Sequence, residues 1–164
     1  VFYIWVISFS KDVKRVYEYH GAEHKSIYAY ENKMELTPEN AKGFTTLHPR
    51  CGTSFLLIVM LISIIVFSCM DFILPVPVNG IERVIIKVVL RVILMPLIAG
   101  ISYEIQRYSS NHLDKVWVRA LAFPGLSLQR ITTKEPDLLQ LEVAIVAIKA
   151  ALGENVENAT EIEG

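Results

Sequence analysis

The chain has 164 residues, 52% of them apolar, with a formal net charge of -1 and a positive mean hydropathy. That is chain enough for one domain, and too apolar a composition for an ordinary soluble one. The near-neutral balance supplies no overall basic field, so no nucleic-acid partner is expected, and two cysteines alone make no disulfide framework.

Val1 to Phe9, VFYIWVISF, is a short apolar run that stops at Ser10-Lys11-Asp12. It has neither a basic leader nor a small-residue cleavage site. Residues 1–9 therefore read as the remnant of a truncated spanning helix, with more chain expected ahead of them. A single membrane domain is expected over residues 10–152. Its first segment, 10–52, is polar and basic and carries the chemistry discussed below. Within it, Thr37 and Pro38 mark a helix start and Gly43 its end.

Thr53 to Met70 contains no charged residue, and with the residues beyond Asp71 the stretch 53–74 reaches the roughly 20 residues needed to cross hydrocarbon. Pro75, Pro77, Asn79 and Gly80 predict a turn. A second spanning helix follows over 82–106. Arg83, Lys87 and Arg91, spaced by four, form one basic stripe on it, packed inward, snorkelling to headgroups, or tracking an anionic lipid.

Tyr108 to Asn111 reads as a polar turn, and 112–128 as an interfacial segment broken at Pro124-Gly125. Thr132 to Glu135 has capping-box spacing ahead of an amphipathic helix over 136–152, closed by Gly153. Leu138, Leu141, Ile145, Ile148 and Leu152 form its apolar seam, for packing on the domain or on a partner helix. The acidic tail, 153–164, is expected to be disordered.

Two helices joined by a short turn run antiparallel, so the start of the first and the end of the second share a membrane face, and Cys51 and Cys69 fall near opposite faces, too far apart for a disulfide. Ser10 to Arg50 holds seven Lys and Arg and the loop Asp71 to Glu82 none, which makes the motif side cytoplasmic. The expected fold class is an all-α, multi-pass protein of the inner membrane: a transmembrane hairpin with a truncated N-terminal span, a polar motif region and a C-terminal amphipathic helix.

The motif region is organised by His20-Gly21-Ala22-Glu23-His24. Residues four apart share a helix face, so His20 and His24 can grip one metal ion with Glu23 beside them as general base. Zinc is the expected metal, and it usually takes three protein ligands. The candidates for the third, argued to lie at similar depth, are Glu104, Glu31, His48 and Cys51. Glu104 is favoured because a carboxylate at the end of a spanning helix needs a cation to offset its desolvation, an ion pair with Arg107 or Arg50 being the alternative. In His48-Pro49-Arg50-Cys51-Gly52-Thr53, Cys51 sits at a helix start beside Arg50, where a thiol is a soft ligand, a nucleophile or simply buried. Cys69, inside the apolar run, reads as core.

YHGAEHK at Tyr19 to Lys25, HPRCGTSF at His48 to Phe55, AGISYE at Ala99 to Glu104 and PGLSLQRITTKEPD at Pro124 to Asp137 resemble the YqhQ-like family of bacterial membrane proteins, over nearly the whole chain and in order. The resemblance implies a multi-span protein labelled a metal-dependent enzyme, with additional chain at the N-terminus. His20, Glu23, His24, His48, Arg50, Cys51 and Glu104 match the family's polar motif positions, but no catalytic assignment comes with them.

Two functional classes follow. One is a membrane zinc hydrolase with His20, His24 and Glu104 or His48 as ligands, Glu23 as base, Arg50 steadying an anionic group, and a peptide or lipid-linked substrate. The other is a non-enzymatic scaffold or assembly factor in the bilayer, holding lipids or partners through the basic stripe and the seam in 138–152, the latter for a protein partner or a second copy. A third possibility keeps the metal but makes it structural, closed by four ligands including Cys51.

Overall fold

The computed structural model describes residues 2–73 and 80–154. The turn predicted at Pro75, Pro77 and Asn79, and the tail beyond residue 154, lie outside the described residues. Among those described, every regular element is helical: α1 (Phe2–Ile7), α2 (Lys11–Glu31), α3 (Pro38–Lys42), α4 (Gly52–Ile73), α5 (Ile81–Asn111), α6 (Val116–Thr132) and α7 (Leu138–Ala151). The chain divides into two compact units. One is Val1–His48 with Ser127–Gly164; the other is Pro49–Leu126.

In the first unit α2, α3 and α7 pack on one another. The contact face of α2 is built from small residues: Gly21, Ala22, Ser26 and Ala29 recur at helical spacing and are buried. Small side chains let α7 come close, and its Leu141, Ala144 and Ile145 complete a core with Ala41, flanked by Leu36 and Phe44. The predicted seam thus packs within its own unit, although its ends, Leu138 and Leu152, are exposed. Lys25 is buried on the same face. Its ammonium donates to the Lys42 carbonyl at 2.9 Å and pairs with Glu135, giving a desolvated charge the partners it needs.

The helix ends follow local chemistry. Thr37 caps α3, its hydroxyl accepting from the Asn40 amide at 3.4 Å. Gly153, at φ +75°, ends α7 in the conformation that favours glycine. One predicted cap moves: the box at α7 is Asp137 with Gln140, not Thr132 with Glu135. The Asp137 carboxylate accepts from the Gln140 amide at 2.8 Å, and the Gln140 side chain accepts from the Asp137 amide at 2.9 Å. Glu135 is engaged by Lys25, and Pro136 holds the residue before it in extended backbone, so the helix starts after it. Asp137→Ala is expected to lower stability by about 1 kcal/mol, read as a drop in thermal midpoint.

The second unit is built on α4 and α5, which pack on each other. Both are long and apolar enough to cross a membrane, and only 6% of the most apolar window of each is buried. A helix that is apolar all round and scarcely covered suits hydrocarbon, not water. At 31 residues α5 is about 46 Å long, well beyond a hydrocarbon core of about 30 Å. Its polar end continues through Tyr108 to Asn111, where a turn was predicted. The chain turns instead at His112 to Lys115; serine is tolerated in the last helical turn because its hydroxyl bonds back, Ser110 to the Arg107 carbonyl at 2.8 Å.

Two members of the basic stripe, Lys87 and Arg91, pack inward, while Arg83 is exposed. Asp71 of α4 pairs with Lys87 at 3.0 Å and Arg91 at 3.1 Å, and Arg91 lies 5.4 Å from the centre of the Phe67 ring. Cys69, expected in the core, is exposed on α4, since a thinly covered apolar helix has most of its faces outward. Helix α6 also runs through Pro124-Gly125 unbroken. Proline removes one hydrogen bond there, while Gly125 lies so close to Ser54 of α4 that an added Cβ would sit 2.7 Å from its hydroxyl; close packing on α4 holds the segment helical.

Candidate metal centre

Helix α2 carries His20 and His24 one turn apart on its inward side, their rings edge to face with centres 4.4 Å apart. The nitrogens each offers to a metal lie within 4.8 Å of each other. Two donors on one tetrahedral ion stand about 3.3 Å apart, so a small side-chain adjustment brings both onto one ion. Both rings are held by Nδ1, His20 against the Thr132 carbonyl at 2.9 Å and His24 against the Thr46 carbonyl. A carbonyl only accepts, so Nδ1 carries the proton in each ring, and in the neutral imidazole the lone pair then falls on Nε2. This is the tautomer and the backing that metal-bound histidines use.

His48 joins them from the segment after α3. Its ring centre is 5.6 Å from that of His24 and 4.6 Å from that of Tyr28. Its backbone is held by a side chain 81 residues away: the Gln129 oxygen accepts from the His48 amide and the Gln129 nitrogen donates to the His48 carbonyl, both at 2.8 Å. Glu31, at the end of α2, reaches the His48 Nε2 at 3.5 Å. The Tyr28 hydroxyl donates to the Leu47 carbonyl at 3.0 Å and steadies the same segment.

Gly21 explains how α2 comes so near its surroundings. A Cβ built there would collide with the Lys134 carbonyl oxygen and lie 3.2 Å from the Thr46 methyl. The Lys134 amide in turn donates to the Tyr17 carbonyl at 2.8 Å. The glycine between the two histidines is thus a packing requirement of the strands of chain that carry Thr46 and Thr132, the carbonyls that orient both rings.

The three histidines therefore come together within the first unit. Glu23 is exposed, off the buried face on which His24 lies. Arg50, Cys51 and Glu104 belong to the second unit. Arg50 donates to Ser110 at 3.2 Å and Asn111 at 3.0 Å. Cys51 is buried, its sulfur 3.1 Å from the Thr53 hydroxyl and its carbonyl accepting from Gln106 at 2.9 Å. Glu104 is 66% exposed and faces Arg107 at 3.7 Å, the ion-pair alternative of the sequence reading. Gln129 was missed as a determinant of the site. Its only signal was an amide side chain set between the apolar Leu128 and Ile131.

The features together define a helical protein with two membrane-capable helices and a histidine cluster on a separate helical unit. Residues 1–154 match the model of a family described as "Protein of unknown function (DUF1385)", and the chain belongs to that family. It is 39% identical over 150 residues to "Uncharacterized protein YqhQ" of Bacillus subtilis (strain 168), covering 92% of this chain and 44% of that protein. The chain thus spans less than half the length of that relative. No solved structure matches it.

Proposed function

We propose that this chain is part of a membrane-embedded, metal-dependent hydrolase, with zinc held by Nε2 of His20 and His24. The observation that supports the reading is the anchoring of both rings through Nδ1 to backbone carbonyls, which presents two imidazole lone pairs from one helix turn. Imidazole donors suit zinc better than calcium or magnesium. When bound, such an ion supplies Lewis acidity and a water of lowered pKa. Glu23, next in chain to His24, is the general base of the sequence motif, and Glu31, at 3.5 Å from His48, is the second candidate. Arg50 is proposed to steady an anionic group of the substrate, a peptide or a lipid-linked ester. Helices α4 and α5 are proposed to cross the inner membrane, with the lysine- and arginine-bearing α2 on the cytoplasmic side.

Metal analysis of the full chain purified in detergent tests this. Wild type is expected to hold about one zinc per chain, and His20→Ala and His24→Ala each to lose most of it. Unchanged zinc in both variants removes the proposal. Glu23→Gln and Glu31→Gln are expected to keep the metal, and the one that loses hydrolysis is the base.

The exposure of Glu23 favours a second reading, a non-enzymatic scaffold whose metal is structural. In that case neither carboxylate matters to the cellular phenotype, and Cys51→Ser, which tests the thiol as a closing ligand, releases the metal. Leu139 and Val143, exposed on α7, would then be the edge offered to a protein partner or second copy.

A further inference from the structure

Helix α7 carries a second apolar face that its own unit leaves uncovered. Gln140, Glu142 and Lys149 are the only polar residues among its 14. Leu141, Ala144 and Ile145 point into the core. On the opposite side Leu139 is 72% and Val143 54% exposed, and the line continues through half-buried Val146 to exposed Ala150. These four recur at intervals of four, three and four residues. That is the seam of a helix that packs on another helix, where the outer side of a helix in water presents charge.

Charge lies along one flank of this seam only. Exposed Glu142 and half-buried Lys149 stand on it seven residues apart, and neither forms an ion pair among the described residues. The other flank carries Ala147 and Gln140, whose amide is committed to Glu18 at 3.0 Å. Two copies of α7 laid antiparallel bring Glu142 of each beside Lys149 of the other, and the two-fold axis makes both pairs at once. The same register sets Leu139 on Ala150 and Val143 on Val146, so a large side chain meets a small one at each end. A parallel pair sets Leu139 on Leu139 and Ala150 on Ala150, wide at one end and narrow at the other, and faces Glu142 with Ala147.

We propose that the chain self-associates through α7, two copies lying antiparallel as a two-fold pair. The proposal narrows the α7 edge of the scaffold reading to a second copy, and it rests on that edge alone, so it holds whichever role the metal has. One short helix face is smaller than the roughly 1,600 Å2 of a standard stable interface. The pair is therefore weak in dilute detergent and is favoured where two chains share one bilayer.

Cysteine crosslinking of the full chain in native membranes tests this, in a Cys69→Ser background that removes the exposed thiol. Chains with Leu139→Cys and chains with Ala150→Cys, co-expressed under different tags, are expected to form a mixed disulfide-linked dimer. The register brings those two positions within the roughly 4.4–6.8 Å between Cα atoms that a disulfide spans. Leu139→Cys alone should give about tenfold less, its two copies lying about 16 Å apart along the pair. Glu142→Lys, at an exposed position, should cut the mixed dimer about tenfold, and adding Lys149→Glu should restore it, since both pairs re-form with signs exchanged. Lys149 also borders a recess with Glu31, Glu35 and Glu154, so Val143→Glu serves as the second variant: it should lose the dimer at an unchanged melting temperature. Absence of the mixed dimer, which would give the face to lipid headgroups or another protein, overturns the proposal. So does equal crosslinking by Leu139→Cys alone, or a Glu142→Lys chain that crosslinks like wild type. His24→Ala separates the two ideas: crosslinking that survives loss of zinc sustains the pair, and absent crosslinking with zinc intact defeats the pair alone.

Discussion

Gly21→Ala is expected to destabilise the helical unit by about 3 kcal/mol or more, although alanine is the best helix former and glycine among the worst. The added methyl has no room. It would overlap the Lys134 carbonyl oxygen, which belongs to the backbone and cannot swing aside as a flexible side chain would, and it would crowd the Thr46 methyl at 3.2 Å. Relief requires α2 to shift from the segment it packs on, which breaks the bond from the Lys134 amide to the Tyr17 carbonyl and loosens the Thr132 and Thr46 carbonyls from the two histidines. Gly43→Ala in the same unit supplies the control. Gly43 has an ordinary helical φ of -68° and nothing nearer than the Asn40 oxygen at 3.9 Å, so alanine should be neutral or stabilise by about 0.4–1 kcal/mol. Thermal or denaturant unfolding of the two variants reads the contrast; a Gly21→Ala protein as stable as wild type would refute the close approach.

Gln129→Leu should cost about 2–4 kcal/mol at nearly constant volume. Gln129 is fully buried and acts as a substitute peptide group, accepting from the His48 amide and donating to its carbonyl. Leucine removes both bonds where His48 is itself 4% exposed and water cannot easily replace them. Gln129→Glu is expected to cost at least as much, because the carboxylate still accepts from the amide but repels the carbonyl, and its charge is desolvated at a fully buried position. Histidine ring resonances should report the same ranking, with the His48 signal leaving its position beside Tyr28 in the leucine variant. A leucine variant that melts with wild type and keeps its histidine spectrum would show that the segment is held by other means.

The helices were legible because each is announced by chemistry local to it. Uncharged apolar runs marked α4 and most of α5, a threonine followed by proline marked α3, and a glycine closed α7. The inward pairing of His20 with His24 was equally legible, since a period of 3.6 sets which residues of one helix share a face. Local signals misled where packing overruled them. Pro124-Gly125 reads as a break and is carried through α6 by contact with Ser54, and the box at Thr132 gives way to Asp137 once Lys25 claims Glu135.

The amino-acid sequence by itself determined the helical class, the two membrane-capable helices and the presence of paired imidazoles, because hydropathy and helical period are properties of consecutive residues. Only the tertiary structure decided which atoms surround those imidazoles: carbonyls of Thr46 and Thr132 behind them, His48 beside them, Gln129 behind His48, Glu23 turned outward. Those neighbours come from chain as much as 112 residues distant. No local propensity encodes them, since they follow from how closely α2 can approach the rest of its unit, and that distance is set by the missing side chain of Gly21.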